Sequence, residues 1–374
     1  MLYPLKFKPV YKDYLWGGRT LVDYGRTLPE NGPVAESWEL SAHPNGVSIV
    51  QNGPLSGKTL PELLREYGPS LIGSLAEPRD LDKFPLLIKL IDARDRLSVQ
   101  VHPGDDYAAM HAGGEYGKNE MWYVMAAAPG AQLIAGVRPG TTREQFARAI
   151  ADDNCLDLLQ TLPVKAGDVV NIPAGLVHAI GAGLLICEVQ QNSDTTYRVY
   201  DYGRRDQSGQ TRPLHIEPAL DVINFEKTAP AAPLAGLLIR QPDQPDLIRR
   251  VLVMNRYLRT EHWTLQGICE PQPDQHRFTA LTVLEGDGQI EWQTSAHGSW
   301  ESLPLQAIET ILVPAETNRW RLSGQLKLLL STLPDFDSDL SDIAGSAGCD
   351  LAGSASREQL IAWLDGRIGL EPLP

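Results

Sequence analysis

Gly167-Asp-Val-Val-Asn-Ile-Pro-Ala-Gly-Leu-Val-His178 is the stretch on which the fold turns. Gly167 and Asp168 make a turn, Val169 to Ile172 read as a short buried strand, and Pro173-Ala174-Gly175 supplies a tight bend before the next strand. A bend of that kind aims His178 inward at a fixed point, where a histidine reads as a ligand rather than as packing. Its partners are expected from an earlier hairpin. In Leu97-Ser-Val-Gln-Val-His102 the alternation has period two, so Gln100 and His102 stand on one face of a strand. Glu120 opens the following strand, Glu120-Met-Trp-Tyr-Val-Met125. Two imidazoles, a carboxylate and an amide oxygen with no thiolate suit one Zn²⁺ per chain, with Mn²⁺, Co²⁺ or Fe²⁺ as competitors.

The run through His178 fits G-x5-P-x-G-x2-H at every fixed position and resembles the second sequence motif of cupin barrels. In most cupins the first ligand strand offers His-x-His. Here Gln100 takes the first of those places, a neutral and poorer donor that leaves the ion more Lewis acidic and more exchangeable.

The rest of the chain is consistent with a mainly β protein. Its 374 residues exceed one small domain, and Gly 33 and Pro 28 are spread along it as turns between short strands. A formal net charge of −14 argues against nucleic acid or an anionic membrane as partner. The start has no apolar segment of signal-peptide length, and the apolar run Phe84–Ile91, interrupted by Lys89, is too short to span a bilayer. Cys155, Cys187, Cys269 and Cys349 show no CxxC or CxxH spacing and read as free thiols of a cytoplasmic protein.

Residues 1–230 are expected to form a jelly-roll barrel with small helical insertions. Helices are expected at Leu60–Tyr67 and Thr142–Ile150, with a short one at 154–160. The four prolines between Thr228 and Asp246 suggest a linker. Short strands on either side of a turn at Glu285-Gly-Asp-Gly288 suggest a second β-sandwich over 245–333, a degenerate cupin without ligands, since His276 and His297 lie at no ligand spacing and His262 reads as a packing residue. Residues 334–374 read as an acidic, then Gly/Ala/Ser-rich tail with a flexible link and a terminal helix from Ser356 to about Asp365.

Five further phrases occur in chain order: Trp16-Gly-Gly, Glu36-Ser-Trp-Glu-Leu-Ser41, Gln100-Val-His-Pro103, Gly117-Lys-Asn-Glu120-Met-Trp122 and Gln191-Asn-Ser-Asp194-Thr-Thr-Tyr-Arg198. Together they resemble type I phosphomannose isomerase, the mannose-6-phosphate isomerase family, in its shorter bacterial form, over roughly residues 3–330. The resemblance implies Zn²⁺ in the cupin core on Gln100, His102, Glu120 and His178. It also implies interconversion of mannose 6-phosphate and fructose 6-phosphate, with Arg198 as the active-site arginine. Lys118 and Asp194 lie in the same phrases, and Glu188 is a candidate base or supporting carboxylate.

Such an aldose–ketose isomerase opens the sugar ring and moves a proton between C1 and C2 through an enediol. The metal and Arg198 are expected to stabilise the enediolate, and Lys118 and Asp194 to share ring opening and proton transfer. Lys118, Arg198, Arg204 and Arg205 are candidate phosphate cations, with Ser37 and Ser41 as hydroxyl donors. The partner is a small phosphorylated sugar, and the protein is expected to be a monomer or homodimer. The alternatives are a non-catalytic sugar-binding cupin and a different metal-cupin enzyme acting on another phosphosugar. The presence of Lys118 and Arg198 weighs against the first, and Gln100 with Glu120 against an oxygenase.

Overall fold

Apolar runs bounded by Gly and Pro become antiparallel strands in the computed structural model, which describes residues 2–205, 208–226, 232–241, 243–293, 298–347, 358, 360–362 and 364–365. Two sheets make the first barrel. One has six strands in the order Val169–Ile172, Glu120–Ala127, Leu184–Gln191, Leu86–Ala93, Glu36–Leu40 and Val10–Lys12. The other has five, in the order Tyr197–Tyr200, Val99–Val101, His178–Ile180, Gln132–Val137 and Leu159–Pro163. The central strands of the six-stranded sheet are buried on both faces, which explains why Leu86–Ala93 reads as a continuous apolar run. No helix among the described residues is long and apolar enough to cross a membrane.

Helices Leu60–Tyr67 and Arg143–Ala151 form where expected. Each opens on a threonine, Thr59 or Thr142, whose hydroxyl accepts from the backbone N–H three residues on, while Glu62 or Gln145 reaches back to the threonine N–H. The short helix expected over 154–160 is a single 3₁₀ segment, Cys155–Leu158, and the chain turns at once into the strand Leu159–Pro163.

A third sheet has nine strands and takes in most of the chain after 236, but also Leu5–Lys8 and Ile49–Val50. Leu5 stands opposite Leu312, so the beginning of the chain completes a sheet built mainly from its end. One apolar cluster runs from Phe7, Phe84 and Met121 to Phe278, Leu281 and Trp292, joining this sheet to the first barrel. Phe84 and Phe278 are fully buried with ring centroids 4.7 Å apart, and each such side chain contributes about 1.5–3 kcal/mol on burial.

Three expectations are corrected here. Glu285-Gly-Asp-Gly288 is not a turn: Thr279–Gln293 is one long strand with a bulge between Val283 and Glu285. Gly286 has φ +87°, and a Cβ there would lie 1.9 Å from the Gln325 carbonyl, so the glycine serves a close strand approach inside the sheet. The proline-rich segment 228–246 is not wholly a linker, since Leu237–Arg240 pairs with Leu247–Met254. The acidic stretch after Asp335 is not a loose link but a helix, Phe336–Ala347. Its Leu340 and Ile343 are buried against Ile239, Val251 and Met254. Of the expected terminal helix, Leu360 and Leu364 are buried in the same cluster. Cys155, Cys187 and Cys269 are free and buried, while Cys349 and His297 lie outside the described residues.

The docked helix is held by charge as well as by apolar contact. Asp339 is 1 % exposed and accepts two 2.8 Å hydrogen bonds from the Arg277 guanidinium, while also pairing with Arg259. Replacing Asp339 by Ala should remove one carboxylate from Arg277 and Arg259, which keep Asp274 and Glu261, and destabilise the protein by about 1.5–3 kcal/mol. A urea midpoint equal to wild type would show that this ion cluster does not hold the helix.

His262 packs as expected, its ring stacked on Tyr123 at 5.7 Å. Burial, then Lys327 and Arg250, pushes its imidazole down to about 4. Between the ordinary pKa near 6.5 and 4 the unfolded chain therefore binds a proton that the folded one refuses, and stability falls as pH drops through that window. His262→Phe should flatten this part of the pH–stability curve. Parallel curves for the two proteins would remove the assignment.

Candidate active site and metal centre

The bend of the opening motif is tied directly to the first ligand strand. Gly175, at φ +84°, donates its N–H to the His102 carbonyl at 2.9 Å, and a Cβ there would meet the Val222 carbonyl at 2.9 Å. Two residues after His102, Gly104 and then Asp105 pack so closely on Gly117 that a Cβ at 117 would lie 2.5 Å from the Asp105 nitrogen. The Lys118 N–H donates to the Pro103 carbonyl at 3.0 Å. Thus the loop carrying Lys118 is stitched to the strand carrying His102. Lys118 precedes the strand Glu120–Ala127 rather than lying on it, and it reaches the site through this loop.

The cluster itself is buried and tight. One ligand atom each from His102, Glu120 and His178 fit within 4.8 Å of one another. His102 Nδ1 faces the Thr195 carbonyl at 2.8 Å and His178 Nδ1 the Leu176 carbonyl at 2.9 Å. Carbonyls only accept, so both Nδ1 atoms carry the proton and both Nε2 atoms present lone pairs. These two Nε2 atoms are 3.1 Å apart. Burial first, then Lys118, pushes the His102 imidazole down to about 3, and burial also lowers His178, so both rings stay neutral.

Glu120 is fully buried, with Lys118 Nζ 2.8 Å from Oε1 and no hydrogen-bond partner at Oε2. Burial would raise its pKa, but the Lys118 ammonium outweighs it and holds the carboxyl well below the usual range. Gln100 Nε2 lies 3.4 Å from His178 Nε2, and a half-turn of the amide presents Oε1 at the same point. The two Nε2 lone pairs face each other beside an anionic carboxylate, and Lys118 offsets them from one side only, 2.8 Å from Glu120 Oε1 and 3.2 Å from His102 Nε2. The donor set therefore fits a divalent metal ion.

Around the cluster, strand register aligns the remaining groups. In the five-stranded sheet Gln100 stands opposite His178 on one side and Arg198 on the other. Directly opposed residues share a face, so Arg198, Gln100 and His178 point the same way. In the six-stranded sheet Trp122, Glu188, Lys89 and Trp38 are successive cross-strand partners. A cleft of about 300 Å³ opens between these rows, and its walls include Gln100, Lys118, Glu188, Asp194, Arg198 and Arg212.

Comparison with known proteins gives this arrangement a family. A sequence profile of the phosphomannose isomerase type I catalytic domain matches residues 4–127. Mannose-6-phosphate isomerase ManA of Bacillus subtilis is 38% identical over 330 residues, 88% of this chain and 99% of that protein. Mannose-6-phosphate isomerase of Streptococcus mutans is 38% identical over 332 residues, 88% of this chain and 98% of its own. The chain belongs to the type I phosphomannose isomerase family. The crystal structure of the Bacillus subtilis mannose 6-phosphate isomerase superposes with a TM-score of 0.79 at 32% identity, covering 88% of this chain and 99% of that one. The fold is accordingly the cupin fold of that family.

Not every residue singled out in the sequence reaches the cleft. Ser37 lies on the opposite face of its strand from Glu36 and Trp38, and its hydroxyl donates to Glu39. Ser41 is fully buried and accepts from the His43 N–H at 3.1 Å. Arg204 is turned back on Asp201 and donates to the Arg96 carbonyl at 2.5 Å, and Arg205 donates to the Gly209 carbonyl at 2.7 Å. These two arginines hold the loop after Tyr197–Tyr200 together. Arg212 is the cation of that loop that lines the cleft, with Nε and Nη2 on Asp201 at 2.8 and 2.6 Å.

Lys89, Glu36 and Asn45 were not anticipated. Lys89 is 3 % exposed, 3.1 Å from Glu188 and 3.8 Å from Glu36. Burial would lower its pKa, but the two carboxylates raise it above the ordinary value, so it is a permanent cation. Its signal was in the sequence: a lysine interrupting the buried run Phe84–Ile91. Asn45 donates to Asp194 at 2.8 Å and has no sequence signal, because 149 residues separate the two.

The centre makes a direct prediction. Prolonged treatment with a strong chelator should remove one divalent ion per chain and lower the melting temperature, because a cation bound only by the folded state adds stability. His102→Ala should purify with little metal under the same conditions. A full complement of metal in that variant, measured by elemental analysis, would place the ion elsewhere.

Proposed function

We propose that this cleft interconverts mannose 6-phosphate and fructose 6-phosphate, with one Zn²⁺ held by Gln100, His102, Glu120 and His178. Family membership supports the reaction, and two imidazoles with two oxygen donors and no thiolate support the metal. The observation that carries the reading is the row His178–Gln100–Arg198, which sets a fixed guanidinium on the same face as two ligands. Bound there, the ion would supply positive charge and Lewis acidity for the developing enediolate.

The chain's own groups do the rest. Arg198 spends Nε on the Ser98 hydroxyl at 3.2 Å and Nη1 on the Pro213 carbonyl at 3.0 Å. Pinned in this way, its guanidinium stabilises negative charge developing on the enediolate without reorganising. Arg212, braced by Asp201, is a further cation of the cleft and meets the phosphate.

Lys118 and Asp194 share ring opening and proton transfer. Burial raises Asp194, but Lys89, Asn45 and Lys118 outweigh it, so this carboxyl is ionised and accepts from a sugar hydroxyl. Glu188 is the complementary group. Burial, then Glu120, raises its pKa against the pull of Lys89, and Trp122 fixes one oxygen with a 2.7 Å hydrogen bond. Raised where Asp194 is lowered, Glu188 is the more basic of the two cleft carboxylates and supports Lys118 and Asp194 in proton transfer.

Arg198→Ala should lower kcat/KM for mannose 6-phosphate by roughly 10²–10³ while leaving the metal content unchanged. Wild-type turnover in this variant would remove its assigned role. Absence of fructose 6-phosphate formation with each of Zn²⁺, Mn²⁺ and Co²⁺ would remove the activity as a whole.

A further inference from the structure

The nine-stranded sheet holds a cavity of its own, about 460 Å³ in volume and remote in sequence from the residues of the catalytic cleft. Arg259, Glu261 and Trp263 alternate along one strand and so share a face, with Arg249 opposite Trp263 and Thr332 opposite Arg259. Trp263 and Trp320 give the cavity two indole walls, and Asp335, Ser338 and Asp339 from the docked C-terminal helix and its lead-in close one side.

Three buried polar atoms on its walls lack a hydrogen-bond partner: Gln244 Oε1, Arg259 Nε and Thr317 Oγ1. Arg259 is 4 % and Thr317 6 % exposed. An orphaned acceptor, an orphaned donor and an orphaned hydroxyl in one cavity are costly unless something meets them. The space far exceeds what a single bound water fills.

Charge narrows the ligand. The guanidiniums of Arg249, Arg259 and Arg277 are already paired with Glu261, Asp339 and Asp342, and Asp274 and Asp335 add further negative charge to the walls. An anion, including a phosphorylated sugar, enters against a surplus of carboxylates. A hydroxyl group both donates and accepts, so an uncharged polyhydroxylated molecule satisfies all three orphans while its C–H face lies on an indole. We propose that this cavity is a second binding site, separate from the catalytic cleft, for an uncharged hexose or hexitol.

The test uses the full-length, metal-loaded protein with D-mannose, D-fructose and D-mannitol as probes in titration calorimetry. Three proteins are compared: wild type, the double variant Gln244→Leu with Thr317→Val, and Arg198→Ala. At least one probe should bind wild type and Arg198→Ala alike, and the double variant at least about tenfold more weakly. Mannose 6-phosphate turnover of the double variant should equal wild type, which also reports that it is folded. Should turnover be lost, the near-isosteric Thr317→Val alone takes its place, with a loss of affinity of about threefold or more. Amide exchange in the helix Phe336–Ala347 should slow on adding the bound probe.

Failure of all three probes to bind would overturn the proposal. So would binding lost in Arg198→Ala but kept in the double variant, since that locates the sugar in the catalytic cleft. Binding of inorganic phosphate to Arg198→Ala that the double variant abolishes would overturn the assignment of an uncharged ligand.

Discussion

The hydrogen bond from the Gly175 N–H to the His102 carbonyl joins the bend of one hairpin to the end of another, and the site is assembled from that point. Three residues further on, His178 enters the sheet opposite Gln100, and Gln100 in turn stands opposite Arg198. A slip of one residue in either pairing would send these side chains to the other face of the sheet. The left-handed conformation of Gly175 and its close approach to the Val222 carbonyl leave no room for another residue at that position. A backbone constraint therefore sets where His178, the Arg198 guanidinium and the cleft stand relative to one another.

Charge inside the first barrel is arranged in opposed pairs rather than neutralised throughout. Lys89 answers Glu188 and Glu36, and Lys118 lies 2.8 Å from Glu120, all at positions almost closed to water. Burial of each of these groups alone would be prohibitive. Pairing keeps Lys89 charged, burial and Glu120 raise Glu188 against it, and Lys89 with Asn45 and Lys118 lowers Asp194. The nine-stranded sheet uses a comparable arrangement for a different purpose. There Arg259 and Arg277 are held by Asp339, and the ion cluster seats a helix instead of flanking a metal.

The motifs at Gln100–His102, Glu120 and His178 were legible because they are local. Period-two alternation places Gln100 with His102, and turn residues place His178. The capped helices Leu60–Tyr67 and Arg143–Ala151 were legible for the same reason, since each capping box lies within four residues. Glu285-Gly-Asp-Gly288 misled because glycine marks a turn and a close strand approach alike, and the choice depends on the neighbouring strand at Gln325. The helix Phe336–Ala347 was hidden by its Gly, Ser and Asp content, which has weak helix propensity. It forms because Leu340 and Ile343 find an apolar surface and Asp339 finds two arginines.

From the residue order alone followed the barrel class, the family and the convergence of His102, Glu120 and His178, all carried by short phrases whose chemistry needs few neighbours. Folding alone brought in Glu36, Asn45 and Arg212, fixed the partners of Lys89, and turned Ser37, Ser41 and Arg204 away. Ser37, Ser41 and Arg204 are taken up by near neighbours, Glu39, His43 and Asp201. Which face of a strand meets the cleft depends on partners far along the chain, as Asp194 lies 149 residues from Asn45. No local pattern records those partners.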